Sequence, residues 1–237
     1  MTINTALHKN IMLQILKDIY SDATIAPCLG FKGGTAALMF YDLNRFSVDL
    51  DFDLLDESKE EYVFARIEQI AKGYGQIKDA RIKRFNLFFL LSYGEKEHNI
   101  KVEINRRVFD SKYELKTYLG ISMLVMTKED MFAHKLMAMI ERIGKANRDI
   151  FDVWFFLKNN WPINREIVEK RANMPFPELL QKCITSLEST DDRNILSGIG
   201  ELVDAKQKVW AKKSLRPDTI FLLKVMLENE QNYKAKL

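Results

Sequence analysis

The chain has 237 residues, 47% of them hydrophobic and 29% charged, with a formal net charge of only +3. This composition supports a substantial core in one large or two modest domains, and it allows nucleic-acid binding without requiring it. Two distant cysteines, Cys28 and Cys183, exclude a zinc spacing or a disulfide framework, and no uncharged run approaches the ~20 residues of a membrane span. Lysines interrupt the apolar positions of the N-terminus, so we expect a reduced, cytoplasmic protein without a signal peptide.

The N-terminal third alternates helix and strand. Apolar residues at i+4 spacing predict an amphipathic helix over residues 4–20. A short apolar strand over 28–32 then ends in Gly33-Gly34, and a helix is expected over 35–41. Such a glycine turn brings backbone N–H groups close to a phosphate, to which the Thr35 hydroxyl, Arg45 and Ser47 could add contacts. A plain strand-to-helix turn is the alternative, and the two interpretations are compatible.

Residues 47–53 form an acidic strand in which apolar residues alternate with Asp49, Asp51 and Asp53. Because residues i and i+2 share a face, Asp49 and Asp51 point the same way and repel each other unless a cation lies between them. A divalent metal carrying a nucleoside triphosphate meets that need, and the pattern therefore suggests phosphoryl or nucleotidyl transfer. The alternative is a solvated edge strand whose acids face water, which remains open for Asp53 and Asp56.

A helix over 60–72 and strands over 80–84, 87–93 and 100–105 follow. The last strand alternates strictly and carries Glu103 on its polar face, where it is a candidate third ligand for a two-metal site or an ordinary outward-facing residue. From Thr127 the chain becomes helical. We therefore expect an α/β core with an N-terminal helix over 1–115 and a helical domain over 116–237 that completes the active site.

Two features of the helical half carry charge. Lys135 lies mid-helix on an apolar stripe, and the next helix begins with Arg148, Asp149 and Asp152. The lysine is either a cation for a triphosphate or a snorkelling side chain, and the acids are either functional or ordinary complements of the helix dipole. Arg148 is likewise a ligand contact or a surface pairing residue. A basic stretch over 206–216 surrounds Trp210, as an RNA-facing patch or as a solvated helix face with a core tryptophan.

The run FKGGTAALMFYDLNRFSVDLDFDL closely resembles the first motif of the AbiEii-type nucleotidyltransferases, the toxins of type IV toxin–antitoxin and abortive-infection systems, related to the MenT toxins. The family's Gly-Gly-Thr/Ser turn and Arg-x-Ser-x-Asp-x-Asp strand are matched by Gly33, Gly34, Thr35, Arg45, Ser47, Asp49 and Asp51. The stretch EDMFAHKLMAMIERIGKANRDIFDVWFFL resembles the later motifs, at Lys135, Arg148, Asp149 and Asp152. Order and spacing agree from about residue 30 to 158.

The resemblance implies an α+β fold of the DNA polymerase β-like nucleotidyltransferase type, with a small mixed sheet followed by a C-terminal helical bundle. It implies transfer of a nucleoside monophosphate from an NTP to an acceptor, the 3′ end of tRNA in some members, with release of pyrophosphate. It also implies a cognate antitoxin as partner.

In the mechanism that we expect, Asp49 and Asp51 hold Mg²⁺ (or Mn²⁺), with Glu103 as the candidate third ligand. The glycine turn cradles the phosphates, Lys135 neutralises the triphosphate, and Asp149 or Asp152 orients that lysine or the acceptor. Three alternatives remain: an antibiotic-modifying nucleotidyltransferase, a kinase-like phosphotransferase, and an inactive binding scaffold.

Overall fold

A computed structural model describes residues 4–94 and 98–234, and the chain divides into two compact units after Thr127. The division expected near residue 115 thus lies further along the chain, because residues 113–126 form two strands that join the sheet of the first unit.

In the first unit the helices are α1 (Thr5–Ser21), α2 (Gly33–Phe40) and α3 (Glu60–Lys72). The strands are β1 (Leu29–Lys32), β2 (Asp49–Leu54), β3 (Gln76–Ile82), β4 (Asn86–Ser92), β5 (Ile100–Asn105), β6 (Tyr113–Tyr118) and β7 (Ile121–Met126). The helices of the second unit are α4 (Lys128–Arg142), α5 (Arg148–Lys158), α6 (Arg165–Ala172), α7 (Phe176–Glu188), α8 (Ala205–Trp210) and α9 (Arg216–Lys234). The predicted α+β class, with a mixed sheet followed by helices, is confirmed.

The seven strands form one mixed sheet in the order β3-β4-β5-β2-β1-β7-β6. Strand β2 lies at its centre, antiparallel to β1 and parallel to β5. The edge-strand interpretation of the acidic run is therefore wrong. On an edge strand the aspartates could be solvated by water, whereas on a central strand their negative charge needs nearby cations or hydrogen-bond donors.

The β6–β7 hairpin was missed from sequence. Its two-residue turn, Leu119-Gly120, has φ values of 48° and 80°, as a type I′ turn requires. Strand β7 then pairs in parallel with β1 through Phe31 and Val125. The signal was present in the alternation of residues 113–118 and in the glycine of the turn.

One face of the sheet is apolar and is covered by helices. Tyr20 of α1 packs on Phe52 at a ring-centroid distance of 6.3 Å, and Phe64 of α3 packs on Phe89 at 4.8 Å. Since side chains alternate along a strand, burying Leu50, Phe52 and Leu54 forces the aspartates between them onto the opposite, polar face.

Aromatic contacts form the core of the helical unit. Phe156 of α5 stacks on Trp161 at 4.0 Å and meets Phe132 of α4 edge-on at 5.6 Å. Helices α8 and α9 are joined by a π-helical segment, Ala211–Leu215. Within the described ranges, no helix has both the length and the apolar character that crossing a membrane demands.

Candidate active site

The polar face of the sheet places charged residues side by side by strand pairing. In one row Lys32, Asp51, Glu103 and Phe88 are neighbours across β1, β2, β5 and β4. In the next row Asp49 lies opposite Lys101. Asp49, Asp51 and Glu103 therefore share one face of the sheet, as the alternation predicted.

The glycine turn lies directly over this face. Helix α2 begins at Gly33, whose φ of +80° is the left-handed conformation that favours glycine. A β-carbon at Gly33 would overlap the carboxylate of Asp51. The turn and the acidic strand thus approach each other closely, and the amides of the first helical turn, which lack intrahelical acceptors, begin beside Asp51.

Gly34 makes room for the two polar residues that precede β2. A β-carbon there would lie 2.8 Å from Arg45 Nη2 and 2.9 Å from Ser47 Oγ. Both side chains are nearly buried, and Arg45 Nη1 donates to the carbonyl of Phe46 at 2.8 Å. The structure therefore brings Gly34, Arg45 and Ser47 together around the start of α2, as the motif predicted.

Thr35 has a different environment from the one expected. It is fully buried, and its hydroxyl donates to the carbonyl oxygen of Asp49 at 2.5 Å. Since that proton is already donated, the hydroxyl in this arrangement does not donate to a phosphate. Thr35 instead ties the first turn of α2 to the first residue of β2.

A lysine that the sequence reasoning overlooked lies among the carboxylates. Lys101 Nζ is 3.2 Å from Asp49 Oδ2 and 4.0 Å from Glu103 Oε2. Asn86 Nδ2 also donates to Glu103 at 3.2 Å. Within the described residues, no three His, Cys, Asp or Glu side chains converge closely enough to hold a metal ion. The ammonium group of Lys101 thus lies close to the carboxylates of both Asp49 and Glu103.

Asp53 is a buried structural residue rather than a solvated one. Its carboxylate accepts hydrogen bonds from Lys32 Nζ at 2.5 Å, Asn105 Nδ2 at 2.7 Å and Tyr113 Oη at 2.5 Å. Burial acts to raise the pKa of Asp53, but the Lys32 charge and these hydrogen bonds outweigh it and hold the pKa below its usual range. Asp53 thereby joins strands β1, β2, β5 and β6 on the polar face.

The charged residues of the helical unit form their own cluster. Lys135 Nζ lies 3.3 Å from Asp149 Oδ1 and 2.8 Å from Asp152 Oδ2, and both aspartates are fully buried. Arg142 Nη2 lies 2.8 Å from Asp149 Oδ2. Within the described residues this oxygen accepts no hydrogen bond, so the two groups form an ion pair without one. Lys135, Asp149 and Asp152 are thus brought together as the motif predicted.

Comparison with known proteins now identifies the family. The family model described as "Nucleotidyl transferase AbiEii toxin, Type IV TA system" matches residues 14–191, which span most of the chain. The protein belongs to the AbiEii family. It is therefore a nucleotidyltransferase, and the predicted resemblance is confirmed. No curated protein has significant sequence similarity to the chain.

Solved structures agree on the fold. A Helicobacter pylori protein described as a candidate nucleotidyltransferase superposes with a TM-score of 0.61 at 19% identity, over 98% of this chain and 99% of its own. JHP933 from Helicobacter pylori superposes with a TM-score of 0.57 at 18% identity, over 98% of this chain and 97% of its own. At these identities, both show that the AbiEii chain shares their fold.

The AbiEii match covers both charged clusters but assigns no roles to single residues. Arg148 is the first residue of α5 and is half-buried beside Asp149 in the chain. Lys101 and Arg142 were not predicted. Lys101 lies two residues before Glu103 on β5, and Arg142 is the last residue of α4. In the sequence each is only a charged residue near a motif. Which carboxylate it contacts depends on tertiary structure.

Proposed function

We propose that this protein is the toxin of a type IV toxin–antitoxin pair and transfers a nucleoside monophosphate from an NTP to the 3′ end of tRNA. The observation that carries the proposal is the contact between Gly33 and Asp51, which sets a turn suited to a phosphate against a strand suited to a cation. Family membership supports the antitoxin as partner. The acceptor and the metal dependence are part of the proposal.

Asp49 and Asp51 are the residues that would hold Mg²⁺ or Mn²⁺. Both offer hard carboxylate oxygens on one face of a central strand, the donor chemistry that such cations prefer. In strands β1, β2 and β5 this face carries four acids, Asp49, Asp51, Asp53 and Glu103, but only two lysines, Lys32 and Lys101, so it fits an added cation. When bound, the metal would supply Lewis-acid activation of the phosphates.

The remaining residues bind and orient the substrates. The backbone amides of Gly33, Gly34 and Thr35 donate to phosphate oxygens, and Arg45 and Ser47 support that turn from below. The acceptor hydroxyl must approach the α-phosphorus in line with the bond to pyrophosphate. As the new O–P bond forms, the hydroxyl loses its proton and pyrophosphate leaves with the electron pair of the broken P–O bond. Because little covalent chemistry falls to the protein, positioning and charge stabilisation account for most of the rate.

We assign Lys135 the role of neutralising the triphosphate, and Asp149 and Asp152 the role of fixing its ammonium group. The support is that two buried carboxylates hold Nζ from two sides, which restricts an otherwise flexible side chain. Arg148, at the start of α5, remains a candidate contact to the nucleotide.

The test follows labelled nucleotide. Purified protein is incubated with Mg²⁺, total tRNA and α-labelled or γ-labelled NTP, and the RNA is resolved on a denaturing gel. Label from the α-position should enter tRNA in the wild type and be lost with Asp49→Ala, whose fold is checked by circular dichroism. Unchanged transfer by Asp49→Ala would reject the assignment of Asp49.

Other outcomes separate the alternatives. Transfer of γ-label to protein indicates a phosphotransferase, and α-label on an aminoglycoside but not on tRNA indicates a small-molecule enzyme. Absence of both transfer and Mg²⁺-NTP binding by calorimetry would leave only a binding scaffold.

A further inference from the structure

A basic and aromatic surface lies on the same sheet face as the carboxylates, beyond Glu103. We call it the hairpin surface, and it consists of Lys83, Arg84, Phe85, Phe88, Arg107 and Phe109. It combines the tip of the β3–β4 hairpin, where Lys83 N donates to the carbonyl of Asn86, with the residues that follow β5. Arg106 N donates to the carbonyl of Phe85 at 2.9 Å and ties the two segments together.

Cations and rings alternate on this surface. Lys83 Nζ lies 3.4 Å from the ring centroid of Phe88. The guanidinium of Arg107 lies 5.3 Å from the ring of Phe85 and 5.3 Å from that of Phe109, and Arg84 lies 4.9 Å from Phe85. Phe85 is 48% exposed although it is a large apolar residue, so its ring is available to a ligand.

The positive charge of the hairpin surface is not compensated. Neighbouring Arg81 and Arg106 pair with Asp79 and Glu60, at 2.5 and 2.6 Å. Among the residues that the structure describes, no carboxylate lies within ion-pair distance of Lys83, Arg84 or Arg107. The sequence also contains no acidic residue from position 80 to 94 or from 104 to 109. The positive charge of the hairpin surface therefore favours an anionic ligand.

The position of this surface relates it to the reaction. Phe88 is paired with Glu103, which is paired with Asp51, so Phe88 lies two strand spacings, about 10 Å, from the proposed metal ligand. A ligand that lies on the hairpin surface thus has one end next to the carboxylates.

We propose that the hairpin surface binds the single-stranded 3′ end of the acceptor RNA, with a base stacked on Phe85 and phosphates paired to Lys83, Arg84 and Arg107. An exposed ring next to unpaired cations matches a base and the neighbouring phosphates of a single strand. A duplex would not present its bases for such stacking. This inference rests on the proposed function for its acceptor, but the binding itself requires no transfer. It assigns RNA to the hairpin surface rather than to the basic stretch 206–216.

That second basic stretch has fewer features of an RNA site. Trp210 packs on Trp154 at 4.1 Å and on Phe151 at 6.1 Å, and its Nε1 donates to Asp218 at 3.3 Å. Arg216 pairs with Asp192 at 2.6 Å. In the 206–216 stretch, the Trp210 ring and the Arg216 guanidinium are thus engaged in contacts within the helical unit. These contacts support the interpretation of a solvated helix face with a core tryptophan.

The experiment measures RNA binding by the full-length protein without NTP, so no transfer can occur. Fluorescence anisotropy follows a labelled single-stranded RNA of roughly ten nucleotides, and its duplex form, over a range of salt concentrations. Arg84→Glu combined with Arg107→Glu should weaken binding at least about 30-fold and reduce the salt slope by about 2. Phe85→Ala should weaken binding roughly tenfold, with little change in the salt slope.

The control reverses the same number of charges elsewhere. Lys212→Glu combined with Lys213→Glu changes two exposed lysines of the 206–216 stretch, and we expect less than about a threefold effect on affinity. Thermal melting of each variant establishes that it is folded. Equal losses in both double variants, tighter binding of the duplex than of the single strand, or unchanged affinity in the hairpin variants would each overturn the proposal.

Two further measurements separate this inference from the proposed function. If hairpin variants retain RNA affinity but escape inhibition by the purified antitoxin, the surface is a protein interface and the proposal is wrong. If wild-type protein binds RNA through the hairpin surface but never transfers α-label to it, the inference holds and the proposed function fails.

Discussion

Two charged clusters carry the family motifs, and they differ in charge balance. On the polar face of the sheet, Asp49, Asp51, Asp53 and Glu103 outnumber Lys32 and Lys101. In the helical unit, Asp149 and Asp152 are matched by Lys135 and Arg142. In the first cluster the side chain of Asp49 is 13% exposed to solvent, whereas the aspartates of the second cluster are fully buried.

The difference indicates different tasks. In a cluster with an excess of carboxylates, the negative charges repel one another, and an added cation relieves that repulsion. Binding of a metal ion to the sheet cluster is therefore favourable and stabilises the folded protein. A balanced, buried cluster stabilises its own charges, and removing one member leaves another without a partner. Substitutions in the sheet should therefore lower activity with little change in stability, whereas substitutions in the helical cluster should lower both activity and stability.

The largest expected effect is that of Asp51→Asn on activity. This nearly isosteric change removes one proposed metal ligand, and nucleotide transfer should fall roughly a thousandfold or more. Stability should change less than in the variants of the helical cluster, because the acids on this face of β1, β2 and β5 outnumber the lysines. The measurement is initial transfer rate together with thermal melting.

Asp79→Asn is the matched control for Asp51→Asn, because Asp79 also lies on a strand of the sheet but pairs with Arg81 at its edge. Its transfer rate should stay near that of the wild type. A large loss of stability in Asp51→Asn would show that the sheet cluster is internally compensated like the helical one.

The second prediction concerns Lys135→Met, which leaves Asp149 and Asp152 buried with less positive charge. The free energy of unfolding should fall by about 3–5 kcal/mol, as measured by denaturant titration. Adding Asp152→Asn should recover part of the loss, because a neutral amide needs no counter-charge. If the double variant is less stable than Lys135→Met, the charge-balance argument for this cluster is wrong.

Sequence reasoning located the acidic strand, the glycine turn and the lysine–aspartate motif, because each depends on local spacing. Residues i and i+2 share a strand face whatever the fold, and Asp149 and Asp152 are i, i+3 neighbours on any helix. The family resemblance supplied the fold and the reaction, which periodicity alone left open.

Pairings across the sheet were not predictable in the same way. Asp53 differs from Asp49 only in register, yet it is buried because Tyr113 reaches it from a hairpin that was not predicted. Lys101 lies next to Asp49 only because β5 is parallel to β2 in one particular register. Thr35 was expected to bind phosphate, whereas its hydroxyl donates to the backbone of Asp49. Each of these contacts depends on tertiary structure.

The third prediction concerns Asp53, the acid of the sheet cluster whose charge is balanced by Lys32 and by hydrogen bonds. Asp53→Asn should lower the free energy of unfolding by about 3 kcal/mol at neutral pH, since Lys32 would lose a buried counter-charge. The folded-state pKa of Asp53 lies below its unfolded value, so its stabilisation is present above about pH 4 and is lost as the pH falls through the folded-state pKa.

The difference in stability between wild type and Asp53→Asn should therefore shrink as the pH is lowered below about 4. Urea titrations at several pH values measure it directly. A difference that stays constant down to low pH would show that the carboxylate charge of Asp53 contributes nothing, and that Asn forms the same hydrogen bonds.

The smallest expected effect is that of Lys101→Met on metal affinity. The ammonium of Lys101 is 3.2 Å from Asp49 and competes with a divalent cation for the same carboxylate. Its side chain is 28% exposed, so solvent screens the pair, and we expect the Mg²⁺ concentration for half-maximal transfer to fall only about fivefold. Lys116→Met is the control, because Lys116 pairs with Glu114 on β6, away from the central strands. A rise in the required Mg²⁺ would mean that Lys101 positions Asp49 for the metal instead of opposing it, and the excess of negative charge on this face would then be smaller than the residue pairing implies.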